Sequence, residues 1–265
     1  KSIFSDDDYR FGESLTQEVA YDGLLLRQRR QLHERVGRML EDAPGEWTPE
    51  RSARLAWHFA NSDNADKAAR ALLRAAADAE KVPSYTAAYD YYREAWAIAD
   101  ARLRDQGDDA MRRLAVDAAH GLGRMVVLYT QAPPPGLVEL LAQAARLAER
   151  IGDHGARATL LTFRGMEIMV RAPGRFEEGL GLVEEALAEA ELAGEPLPGM
   201  ARGLAWAYVL DGRFELARRT IERAIVELGG SRHGRTLSDI YVSALYMRDR
   251  IDFWRGRFDL AEAGA

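Results

Sequence analysis

The chain contains no cysteine, and that one absence removes disulfides, thiolate metal sites and cysteine nucleophiles together. Lysine is scarce, occurring only as Lys1, Lys67 and Lys81, so the positive charge is almost wholly arginine; such a bias belongs more to a GC-rich genome than to a chemistry. Positive charge is also in deficit overall. The net charge of −6 argues against nucleic acid as the main partner of this segment. No apolar run approaches the ~18 residues of a membrane-spanning helix, and no signal-peptide pattern is present, so a cytoplasmic protein that does not enter a membrane is expected. Val and Ile are few and show no strand-like alternation, which disfavours a substantial sheet.

Missing too is any Gly-x-x-x-x-Gly-Lys-Ser/Thr loop that would cradle phosphates. Gly121-Leu122-Gly123 and Gly179-Leu180-Gly181 are bare Gly-x-Gly pairs inside helical patterns, and they read as close helix packing rather than a dinucleotide site. The histidines His33, His58, His120, His154 and His233 are scattered, and none has a second ligand one helical turn away, so no metal site is expected. No serine or threonine sits in a nucleophile-elbow context. A non-catalytic segment without cofactor follows.

What the sequence does have is a repeated shape. Gly212-Arg213-Phe214-Glu215-Leu216-Ala217 returns as Gly174-Arg175-Phe176-Glu177-Glu178-Gly179 and as Gly256-Arg257-Phe258-Asp259-Leu260-Ala261, at spacings of 38 and 44 residues. Each copy lies between two helical patterns, so the glycine reads as the residue after a helix end, free to take the left-handed conformation. The aromatic two residues on is expected to pack at the mouth of the helix pair. The small residue three positions later lets two helix backbones approach.

Leu204, Ala205 and Tyr208 before Gly212, with Ala217, Ile221 and Ala224 after it, resemble a tetratricopeptide repeat, whose usual period is about 34 residues. The resemblance implies an all-α, right-handed superhelix of antiparallel helix hairpins. Other stretches agree: Ala68, Leu72 and Ala75 occupy repeat positions, as do Tyr85, Ala88, Tyr92 and Ala95 only about one helix further on. Thr48-Pro49 starts a helix as N-cap and first residue, and Pro133-Pro134-Pro135-Gly136 is a stiff break. Tyr85, Tyr89, Tyr92 and Trp96 form one stripe that reads as hairpin core, leaving Tyr91 as the exposed aromatic.

Near the start, Ser14 and Gln17 make a capping box, and Leu32, Val36, Met39 and Leu40 give the following helix an apolar face. Arg27, Arg29, Arg30, Arg35 and Arg38 are interleaved with acids, so Arg30 with Glu34 and Arg38 with Glu41 are expected to pair on the helix surface. The string Tyr9-Arg10-Phe11-Gly12-Glu13-Ser14-Leu15-Thr16-Gln17-Glu18-Val19-Ala20-Tyr21, continued by Leu24-Leu25, Arg29-Arg30, Leu32-His33 and Leu40, resembles the junction in large bacterial STAND-type signal-transduction ATPases. Those proteins, fused to nucleotide-cyclase, kinase or transcription-activator modules, carry a tetratricopeptide-like superhelix after the ATPase. Gly12 and Glu13 stand where the family has a basic residue and histidine. The resemblance implies a division into junction helices over 1–45, following an upstream ATPase or winged-helix module, and truncated helical repeats over 46–265.

In tetratricopeptide arrays the first helix of each hairpin lines a concave groove. Carried over, this puts Leu161, Arg164, Ile168 and Arg171 beside Arg202, Trp206, Val209 and Leu210, and then Tyr246, Arg250, Phe253 and Trp254. Such a groove fits a protein or peptide partner of acidic, partly apolar character, since arginine offers bidentate donors and tryptophan or tyrosine offers rigid contact area. The alternatives are a small-inducer sensor of a transcription activator and a structural or oligomerisation spacer whose groove is covered or empty. The oligomeric state is left open.

Overall fold

The computed structural model describes residues 19, 21–82, 84–105, 107–129, 132–194, 198–229 and 235–258. Every delimited element is an α-helix, and no strand occurs among the described residues. In chain order they are α1 (Leu26–Asp42), α2 (Pro49–Ala60), α3 (Ala65–Lys81), α4 (Tyr85–Asp105), α5 (Asp109–Tyr129), α6 (Leu137–Arg150), α7 (His154–Arg171), α8 (Phe176–Ala193), α9 (Pro198–Leu210), α10 (Phe214–Gly229) and α11 (Arg235–Trp254). None of them is long and apolar enough to cross a membrane. The Ser14 capping box lies outside the described residues.

Local chemistry sets the boundaries. Thr48 caps α2 by accepting from the Arg51 amide, with Pro49 at the first helical position, and Asn64 and Asp153 cap α3 and α7 in the same way. Gly212 closes α9 with φ +74°, its amide bonded to the Val209 carbonyl and the Arg213 amide to the Tyr208 carbonyl. That pair of bonds is the Schellman arrangement. Gly256 repeats it after α11, and so does Gly152-Asp153 after α6, although the latter lacks the Gly-x-aromatic signature. The Gly174 turn has a positive φ but a different bond pattern, in keeping with its weaker sequence match.

Each helix packs on its successor, and α3, α5, α7, α9 and α11 also pack on one another in turn. One row is therefore continuous, with α4, α6, α8 and α10 set outside it: an α-solenoid in which hairpins bury each other. Small residues make the close stacking possible. Ala56, Ala76, Ala88, Ala95, Ala99 and Ala115 are fully buried among Phe59, Leu72, Tyr92 and Trp96. A methyl group on Gly121 would come within 2.3 Å of the Tyr92 ring, and one on Gly123 equally close to Phe163, so both glycines serve packing as expected. Gly165 of α7 and Gly179 of α8 meet backbone to backbone, whereas Gly181 faces open space and packs on nothing. At α8 the two hydrophobic cores adjoin, Ala186 belonging to the first and Leu180 and Val183 to the second.

Three surface expectations need correction. On α1 the buried residues are His33 and Gly37, while Leu32 and Met39 of the expected apolar face are exposed, because α2 covers only the Gly37 side, where Phe59 packs. Arg38 pairs with Glu34 at 2.6 Å and Arg30 reaches Asp63 on the next hairpin at 2.7 Å, rather than the partners that spacing implied. Tyr91 is half-buried against the core instead of exposed.

Candidate interaction groove

The continuous row supplies the candidate groove, and its last two helices place the aromatic residues together. Trp206 projects from α9 and Trp254 from the end of α11, their rings 5.6 Å apart. Tyr246, Arg250 and Trp254 lie at four-residue intervals on α11, hence on one face. The Arg250 guanidinium sits 4.7 Å from the Trp254 ring centroid and 5.5 Å from that of Tyr246, and donates to the Tyr246 hydroxyl at 3.0 Å. Cation–π contact fixes this arginine without neutralising it. Among the described residues it has no carboxylate partner. Tyr246 and Phe253 remain 59% and 57% exposed, and Phe253 meets Phe258 edge-on at 5.4 Å. Phe258 itself is exposed, so the repeat aromatic closes the hairpin mouth at Phe176, packed on the second core, but not here.

The α7 contribution differs. Leu161 and Ile168 are buried, at 4% and 0% exposure, and offer no surface to a partner: α7 is covered by α5 on one flank and α9 on the other. Arg171 is committed to Glu167 of its own helix at 2.9 Å. Arg164 is half-buried with its Nε enclosed and unbonded, and its charge helps Arg175 hold the Glu178 carboxyl below the usual range. Arg164 thus belongs to the flank shared with α8. Arg202 lies on α9, but its side chain is outside the described residues. Of the expected groove set, Trp206, Tyr246, Arg250 and Trp254 form one cluster.

A second cluster was not visible in the sequence. His33 Nδ1 and His58 Nδ1 lie 3.1 Å apart, and the Tyr21 hydroxyl is 2.8 Å from His33 Nε2, with Trp57 edge-on to both imidazoles. Burial lowers the His58 pKa to about 4, helped by the neighbouring His33 and Arg54, and lowers that of His33 as well. His120, beside Phe163, is also driven to about 4 by burial, then by Arg124. These rings are neutral packing groups at pH 7. Among the described residues no three His, Asp or Glu side chains converge as metal ligands would.

No protein-family model matches the chain, and no curated protein matches it in sequence. Solved structures match it in shape. BtubC (BKLC) from P. vanneervenii superposes with a TM-score of 0.55 over 91% of this chain and 89% of its own, at 20% identity. A kinesin light chain-type protein of nearly identical TPR-like repeats from Podosopora anserina gives 0.52 over 76% and 92%, at 15% identity. At such identities the likeness establishes architecture: the chain is a TPR-like α-solenoid.

Proposed function

We propose that this chain is a non-catalytic protein-interaction scaffold whose groove takes an acidic, partly apolar peptide segment of a partner. One observation carries the reading: Arg250 is held between Tyr246 and Trp254 beside Trp206, with no carboxylate partner among the described residues. A partner carboxylate would complete its charge, and the exposed rings would supply apolar contact. Within the same reading, the likeness of residues 9–42 to a signalling-ATPase junction, and the uncovered Leu25, Leu26, Leu32 and Met39 of that region, support a regulatory segment packed against a nucleotide-binding module. The proposed division into a junction over 1–45 and repeats over 46–265 belongs with that reading.

The test is a fluorescence-polarisation screen of acidic and neutral peptide pools against the wild-type chain and the Tyr246→Ala/Arg250→Ala double variant. Both side chains are exposed, so the variant keeps its fold. Acidic peptides should bind the wild type, and the variant should lose about tenfold or more in affinity. Equal binding by the two proteins, or no preference for acidic sequences, would remove the groove assignment.

A second reading, a small-inducer sensor, is favoured by a cavity of about 520 Å³ between α1, α2 and α4, lined by Tyr21, Arg29, Arg30, Asp63 and Ile98. Its mark would be a ligand-dependent rise in Tm that is indifferent to Arg250.

A further inference from the structure

A separate cavity, of about 340 Å³, opens where the last turns of α4 and α6 meet the start of α5. Four guanidinium groups line it: Arg104, Arg112, Arg146 and Arg150. The single carboxylate in the lining among the described residues is Asp100, and both of its oxygens are engaged. One oxygen accepts from Arg104 and the other from Gln143 Nε2 at 2.6 Å. Arg112 is anchored by Asp109 and by the Gly107 carbonyl at 2.9 Å, which holds it at the edge of the space. Arg146 and Arg150, one turn apart on α6, make no hydrogen bond or ion pair among the described residues.

Arginines near helix C-termini offset the helix dipole, and that accounts for Arg104 and Arg150 taken singly. It does not account for four cations from three helices around one cavity. Set against the acids bonded to them, Asp100 in the lining and Asp109 outside it, the four arginines leave two to three positive charges without a bonded carboxylate among the described residues, depending on whether Asp109 is counted. A carboxylate accepts only within its plane, whereas a phosphoryl group presents three oxygens in different directions, which suits guanidinium forks approaching from separate helices. The volume lies at the small end of ligand cavities, room for a phosphate and a modest substituent.

The geometry points to a binding site for a phosphate monoester dianion, independent of the groove. The phosphoryl group belongs to a small metabolite or to a phosphorylated side chain of a protein, and the two are separable. Isothermal titration calorimetry on the full chain at pH 7.5 and fixed ionic strength would compare O-phosphoserine, a seven-residue phosphoserine peptide and succinate as carboxylate control. Saturable one-site binding is expected for the phosphoryl ligands, weakened about tenfold or more in Arg146→Ala/Arg150→Ala and a few-fold in the corresponding double lysine variant. Affinity should also rise from pH 5.5 to 7.5 as the second phosphate proton, with a pKa of about 6, is lost. Tighter binding of the peptide identifies a protein source; equal or tighter binding of O-phosphoserine identifies a metabolite. The proposal fails if neither phosphoryl ligand binds saturably, if succinate binds as well, or if the folded alanine variant binds as the wild type does. None of these outcomes bears on Arg250 or the groove.

Discussion

Two arginine sites in this solenoid have opposite charge balance. On the α7–α8 flank, Arg157 reaches Glu185 at 2.6 Å and also Glu189, and His154 contacts the second Glu189 oxygen at 2.8 Å. One arginine there serves two carboxylates, in a site where the Arg157 and Glu189 side chains are only 16% and 13% exposed. At the α4–α6 edge four arginines surround one lining carboxylate, and two of the four have no hydrogen-bond or ion-pair partner among the described residues. The first arrangement closes on itself and fastens two helices together. The second leaves surplus charge that folding does not use, and such a surplus is what a ligand site retains.

The largest expected effect breaks the first site. Arg157→Ala leaves Glu189 in a mostly enclosed position beside Glu185 with only the His154 contact, so the cost is that of a poorly compensated carboxylate rather than of one lost contact. We expect about 2–3 kcal/mol of destabilisation, read as a lower urea midpoint at pH 7. A loss below about 0.5 kcal/mol would show that Glu189 is solvated well enough alone, and the contrast between the sites would collapse.

The next effect extends the comparison to cations that the fold keeps neutral. His58 and His120 have folded-state pKa values near 4, set first by burial, against about 6.5 in the unfolded chain. Because the folded values are depressed, their contribution is complete above about pH 6.5 and is lost as pH falls toward 4, where the unfolded chain binds protons that the folded one refuses. Tm should hold from pH 8 to 6.5 and drop by roughly 5 °C by pH 5. His58→Gln/His120→Gln should flatten that drop; an unchanged slope would place the titration elsewhere.

The architecture was legible because its signals are local. Gly212 and Gly256 announce their turns by side chains within six residues, and Leu204, Ala205, Tyr208, Ala217, Ile221 and Ala224 are all buried, as their pattern implies. The Trp206–Trp254 pair was legible through repeat position, since equivalent places on successive inner helices become neighbours. Ile168 was misplaced by the same rule: position within a repeat does not say which flank the next helix covers. His33 and His58 are 25 residues apart, and a search along one helix face cannot pair them. Nor could the arginine cavity be found that way. Arg146 and Arg150 show a basic spacing without an acid four residues before either, but Glu149 beside them made the stretch look balanced, and only stacking reveals Arg104 and Arg112 opposite.

The smallest expected effect sharpens the comparison most. Replacing Arg146 and Arg150 by alanine removes two cations that hold no partner among the described residues, relieves repulsion with Arg104 and Arg112, and introduces the residue of highest helix propensity. Against this stands the lost interaction with the C-terminal dipole of α6, a few tenths of a kcal/mol. The net change in stability should lie within about 0.5 kcal/mol and favour the variant at low ionic strength. Adding salt should close the gap, because screening relieves the same repulsion in the wild type. A thermal scan at two salt concentrations measures this directly. A loss above about 1 kcal/mol would mean that Arg146 and Arg150 fasten helices as Arg157 does, and the surplus charge assigned to a ligand would have to be returned to the fold.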